Sequence, residues 1–117
     1  MNNLWRWRVL IANLDPPVGS EQAGTRPVVI ISDDDYNQIM PLVTILPLTS
    51  KKPERKLYAD EVFVESGTAG LRLDSIVLVH HIRTISKRRL GAYVGTLDDA
   101  GKQTEIINTI AEHLGIW

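Results

Sequence analysis

Arg26 and Thr49 are the side chains of this sequence best suited to work on a phosphodiester. A guanidinium is planar and permanently charged, and it can give two parallel hydrogen bonds to phosphate oxygens, which steadies the charge on a phosphorus under attack. Pro27 follows Arg26 and confines it to extended conformations, so the cation has little freedom at a strand entrance. Thr49 lies in the run Leu46-Pro47-Leu48-Thr49-Ser50 and could give its hydroxyl to the same anion. Ahead of Arg26 the stretch Leu14 to Arg26 (LDPPVGSEQAGTR) is polar, with Gly19 and Gly24 bracketing Ser20, Glu21, Gln22 and Ala23. Glycine hinges at both ends make a segment that can open and close.

If the diester is RNA and no metal takes part, the 2′-OH is the nucleophile. The protein must then deprotonate it, stabilise the phosphorane and protonate the leaving 5′-oxygen. Arg26 suits the second task; as a proton donor it is awkward because it holds its proton so tightly. Glu21, His80 and His81 are the candidates for proton transfer, the imidazoles because they titrate near neutral pH. On an extended strand His80 and His81 face opposite ways, so one at most shares the substrate face unless the strand ends between them. Ser20, Glu21 and Gln22 carry the donors and acceptors that read base edges in single-stranded RNA, and His80 or His81 could add a base contact. The plainer alternatives are a solvated loop, a surface arginine, a turn threonine and a structural histidine.

Strands are expected at Trp7 to Leu14, Val28 to Ile31, Leu42 to Leu48, Glu61 to Glu65, Ser75 to Ile82 and Ala92 to Thr96, from their apolar, β-branched content. Asp15-Pro16-Pro17 closes the first, because consecutive prolines cannot donate to a ladder, and Pro47 marks an edge or bulge near the end of the third. Asp33, Asp34 and Asp35 read as the start of a short helical turn, not as a metal site, which would draw carboxylates from separate elements. Lys51 to Lys56 and Arg83 to Arg89 read as a basic loop and a basic turn. Ile106, Ile107, Ile110, Ala111 and Leu114 recur at the spacing of an amphipathic helix, with Asp98 as N-cap and Gly115 as terminator. The strand count suggests a small barrel.

At 117 residues, 44% hydrophobic and 23% charged, the chain suits one folded domain, spanning 1–117. It has no cysteine, which removes disulfides and thiolate metal sites and makes the cytoplasm the default compartment. The N-terminal run from Trp5 is broken by Asn13 and Asp15 and fits neither a signal peptide nor a membrane span. A net charge of -1 argues against nucleic acid, yet eight of the 13 basic residues fall in the two basic segments.

The first block, Gly19-Ser20-Glu21-Gln22-Ala23-Gly24-Thr25-Arg26-Pro27 with Pro47-Leu48-Thr49-Ser50, resembles the signature of the MazF/PemK family of bacterial toxin endoribonucleases. Gly70 to Val79 and His80 to Gly91 look like the family's second block, and Gly95-Thr96-Leu97-Asp98 its approach to the last helix. The resemblance implies a mainly β, α+β fold, a small SH3-like antiparallel barrel of the CcdB/PemK type with a C-terminal α-helix. It also implies a homodimer, cleavage of single-stranded RNA to 2′,3′-cyclic phosphate and 5′-OH ends, no metal or other cofactor, no membrane association, and an antitoxin whose acidic tail fills the RNA groove. The chain departs from the pattern at His80-His81, where relatives carry an acidic residue and a glutamine, and at Leu78, where one branch carries an arginine. Two further classes remain open. One is a non-catalytic toxin of the same scaffold that poisons gyrase through a Trp-containing tail, for which Trp117 is instead expected to pack; the other is a plain RNA-binding barrel in which Arg26 only contacts phosphate.

Overall fold

The computed structural model describes residues 4–116, so Trp117 and the packing expected of it lie outside the described residues. Seven strands, β1 (Arg8–Asn13), β2 (Thr25–Ile30), β3 (Leu42–Ser50), β4 (Glu61–Val64), β5 (Ser75–Leu78), β6 (Arg83–Ser86) and β7 (Leu90–Thr96), pair antiparallel throughout. They run in the order β4-β5-β3-β2-β1-β7, with β6 off this path, paired to the first half of β3 opposite β2. A short helix α1 (Asp34–Ile39) links β2 to β3, and a C-terminal helix α2 (Ala100–Leu114) ends the fold. This is the expected mainly β architecture with a C-terminal helix.

The apolar runs are continuous because the central strands bury both faces. Along β2, Val29 joins a core cluster with Leu46, Leu48, Val62, Val77 and Ile106, while its neighbours Val28 and Ile30 join a second with Leu10, Val43, Ile45 and Ile85. Alternation along a strand sends successive side chains to opposite faces, so two cores demand a run with no polar interruption. Ile106 anchors α2 on the first core, whereas Ile107 and Leu114 of the expected apolar stripe remain exposed.

Pro47 neither ends nor bulges β3. It is the last β3 residue paired to β2, opposite Val28, and from Leu48 the strand pairs with β5 instead. A residue without an N–H is tolerated where a ladder changes partner. β3 therefore carries Thr49 out of one sheet region and into the next without breaking.

Several expected boundaries shift for local reasons. Trp7 has φ of 71°, a left-handed conformation incompatible with a strand, so β1 starts at Arg8. The strand expected over Ser75 to Ile82 stops at Leu78, and Val79–His81 form a single 3₁₀ turn. The basic turn expected over Arg83 to Arg89 is half strand: β6 pairs with β3, Thr44 opposite Thr84, before a second 3₁₀ turn at Lys87–Arg89. Of the three aspartates expected at the helix start Asp33 is the cap of α1, but Asp99, not Asp98, caps α2 by accepting from the Lys102 N–H at 3.0 Å, and Gly115 ends it with φ of 71°.

Candidate active site

Arg26 and Thr49 meet by strand register. The last β2–β3 pair is Val28 with Pro47, and Arg26 and Thr49 stand two residues beyond it, one on each strand and on the same face as that pair. Residues opposite one another in an antiparallel pair share a face. Both line one open cavity of about 410 Å³, together with Thr25, Ser50, Arg72 and Leu73.

The Arg26 guanidinium is held on several sides. Its Nε–H donates to the Ala23 carbonyl at 2.8 Å and Nη1 to the Leu48 carbonyl at 3.4 Å. With the Gln22 carboxamide oriented oxygen-first, that oxygen accepts from Nη1 at 2.6 Å and Nη2 at 3.0 Å. One Nε bond, two from Nη1 and one from Nη2 engage four of the five N–H groups and leave one, on Nη2, for an anion.

The loop that supplies these contacts is clamped at its base. Leu14 N–H donates to the Gly24 carbonyl at 3.0 Å, and Gly24 N–H to the Asp15 carboxylate at 2.9 Å. Arg89 adds a brace from β7's entrance, its Nη1 donating to the carbonyls of Asn13 at 3.1 Å and Asp15 at 2.6 Å. Gly19 and Gly24 have φ of 59° and 80°, the left-handed hinges the turn requires. Between them the Glu21 carboxylate accepts from the Val18 N–H at 2.7 Å, which folds the loop tip on itself.

A second, smaller cavity of about 150 Å³ adjoins the loop, lined by Glu21, Gln22, Pro47, His80, His81 and Arg83. The two histidines lie on the 3₁₀ turn, not on an extended strand, so the expected opposition of faces does not apply. Their ring centroids are 4.4 Å apart, and both border this cavity. His81 is half-buried; burial, then the neighbouring His80, holds its pKa below the ordinary histidine value of 6.5, with Arg26 adding to the effect against the opposing pull of Glu61 and Glu21. Ser20 is exposed and borders neither cavity. Among the described residues no cluster of three or more His, Asp or Glu side chains is arranged to hold a metal ion.

A model of the PemK-like, MazF-like toxins of type II toxin-antitoxin systems matches residues 5–114. The chain belongs to this toxin family. It is 36% identical over 111 residues to Endoribonuclease EndoA of Bacillus subtilis, covering 95% of this chain and 90% of that protein. It is 38% identical over 111 residues to Endoribonuclease MazF of Staphylococcus saprophyticus, covering 95% and 91%. Among solved structures, a crystal form of MazF from Deinococcus radiodurans superposes with a TM-score of 0.81 at 27% identity, over 95% of this chain and 96% of that one.

Within this toxin fold the basic segments divide into structural and free cations. Arg55 clasps the buried Glu61 with two bonds of 2.8 Å, which holds the Glu61 carboxyl below the ordinary carboxylate range. Lys87 donates to the Asn37 carbonyl and sits 4.7 Å from the Trp5 ring centre, while Arg89 braces the loop. Three of the eight clustered cations are thus tied to groups outside their own segments, and Lys51 donates to the neighbouring Lys52 carbonyl at 3.3 Å. Asp34, one of the three aspartates, is structural: burial raises its pKa, but the N–H groups of Arg6 and Trp5 on its Oδ1 outweigh that and leave it low.

Arg72 and Leu73, which share the larger cavity, have no role in the reading of the sequence. A cation and a leucine after a glycine turn carry no local mark of a site; only the fold brings them against β2 and β3.

Proposed function

We propose that this toxin is a sequence-specific endoribonuclease that cuts single-stranded RNA without a metal, through attack by the 2′-OH, leaving 2′,3′-cyclic phosphate and 5′-OH ends. The observation that carries the reading is the common cavity of Arg26 and Thr49, a fixed guanidinium and a hydroxyl on one face of adjacent strands. Donors fixed in advance at the site of developing charge need no reorganisation when the phosphorane forms. The relatives named as endoribonucleases, similar over nearly the whole chain, support the same activity.

In this account Arg26 and Thr49 hold the scissile phosphate and stabilise its transition state. His81 takes the 2′-OH proton, since its lowered pKa keeps the imidazole neutral, hence basic, at pH 7, and the leaving 5′-oxygen takes its proton from solvent water. Glu21 is the less suitable base, since its carboxylate already accepts from Val18 N–H on the exposed loop tip. Gln22 positions Arg26, and Ser20, His80 and the loop tip meet the flanking bases. The protein works as a homodimer in the cytoplasm, one domain per chain, and is silenced by a cognate antitoxin, as expected for a type II system. Among the described residues no helix is long and apolar enough to cross a membrane.

The test is to incubate a long defined RNA with the protein in chelator and map 5′-OH ends. Discrete cuts at a recurring short sequence are expected; an intact transcript, with binding retained, would instead favour the plain RNA-binding reading.

A further inference from the structure

We propose that Arg72 and Leu73 form a nucleobase subsite beside the phosphate held by Arg26 and Thr49, one that selects bases carrying a carbonyl oxygen over adenine. The inference rests on the RNA-cleaving reading above and names part of the substrate that reading leaves undefined.

A cavity of about 410 Å³ is far larger than a phosphate group needs and falls in the range of small-molecule sites. Its walls divide by chemistry. Arg26 and Thr49 occupy the β2–β3 side, while Leu71, Arg72 and Leu73 come from the turn that precedes β5. Leu73 is 64% exposed although it borders the cavity, and Arg72 makes no hydrogen bond or ion pair with any described residue. The adjacent carboxylate is not its partner, because Asp74 Oδ1 accepts from the Ser66 N–H at 2.9 Å. An exposed leucine beside an unpaired guanidinium matches a nucleobase, which offers an apolar ring face and a polar edge.

The donor inventory sets the preference. Arg72 can only donate. Guanine, uracil and cytosine each present a carbonyl oxygen, whose two lone pairs can accept from both arms of a guanidinium, whereas adenine has no carbonyl, its ring nitrogens accept one bond each, and its amino donor stands beside N1 and N7. A donor-only fork therefore pairs least fully with adenine.

The wall is also fixed in advance. A side chain at Gly70 would come within 2.1 Å of the Val94 carbonyl oxygen, and one at Gly95 within 2.3 Å of that of Ala69, so the turn is pressed directly on β7. Gly67 N–H donates to the Leu71 carbonyl at 2.7 Å, Ser75 Oγ to that of Leu73 at 2.9 Å, and Lys51 N–H to that of Asp74 at 2.8 Å. A subsite on rigid backbone discriminates better than one on a mobile loop.

The experiment uses full-length protein and an RNA pool randomised around one cleavage site, with 5′-OH ends sequenced for wild type, Arg72→Ala and Leu73→Ala. Wild type is expected to disfavour adenine at one position next to the cut. Arg72→Ala should lose about tenfold of that discrimination at that position alone, and Leu73→Ala should raise KM there for every base. Both residues are exposed, and circular dichroism checks that the variants fold. Unchanged preference in Arg72→Ala, or an equal loss at all positions, overturns the subsite while leaving the cleavage reading intact. Wild-type protein that cuts no RNA defeats that reading first, and the subsite with it.

Discussion

With its carboxamide oriented oxygen-first, Gln22 bridges both terminal nitrogens of Arg26, at 2.6 and 3.0 Å, from the glycine-hinged loop. A residue expected to read bases thus also contacts the central cation, in the bidentate place that phosphate oxygens would take. In the proposed reaction a phosphate would use the one remaining N–H on Nη2 or turn the Gln22 side chain aside.

Gln22→Ala is therefore expected to lower kcat by about tenfold while KM stays unchanged or falls, since two donors are released but the guanidinium is less well aimed. Steady-state kinetics on a short RNA containing one cut site separates the two parameters. A raised KM at full kcat would assign Gln22 to base contact and remove its positioning role.

His81 gives the pH dependence. Its pKa lies below 6.5 because of burial and its neighbour His80, so the basic, neutral form persists to lower pH than for a free histidine. Activity, as kcat/KM, should rise with pH through a value below 6.5 and be level by pH 7. His81→Gln should remove that limb and lower the plateau by about 10²-fold. A rising limb centred above 6.5, or one that survives the substitution, would exclude His81 as the base.

Arg55 and Glu61 govern acid stability. The Arg55 bonds hold the Glu61 pKa below its ordinary 4.5, so their stabilising effect is present above pH 4.5 and is lost as pH falls through the folded value. Arg55→Ala strands a buried carboxylate and should cost about 2–3 kcal/mol at pH 7. Glu61→Gln should flatten the pH dependence of the denaturation midpoint below pH 4.5; a Glu61→Gln protein with the wild-type profile would show that the pair contributes nothing to acid unfolding.

Much of this was legible in the chain. Continuous β-branched runs marked β2 and β3 because strands buried on both faces have no polar side, and the Asp33 and Gly115 caps were visible as side-chain chemistry local to the helix ends. Arg26 and Thr49 were singled out by residue type, and the fold brings both to the wall of one cavity. What sequence could not give was the long-range bonding. Nothing local distinguishes Arg89, whose partners lie at Asn13 and Asp15, from Arg88, whose side chain bonds to none of the described residues, and the basic turn hid β6 because its pairing to β3 is supplied by a strand some forty residues earlier. The His80-His81 turn was missed for a similar reason: Ser75 to Ile82 reads as one apolar strand, and the change to a 3₁₀ turn after Leu78 is set by packing against α2 and β4.

The central claim is that Arg26 stabilises the charge on an attacked phosphorus, and the most direct measurement compares 5′-OH ends released from one long RNA, in chelator, by wild type and by Arg26→Ala of verified fold. The account predicts discrete cuts by wild type and a loss of about 10²–10³-fold or more in the variant. An Arg26→Ala protein that cuts the same sites at the wild-type rate would contradict it.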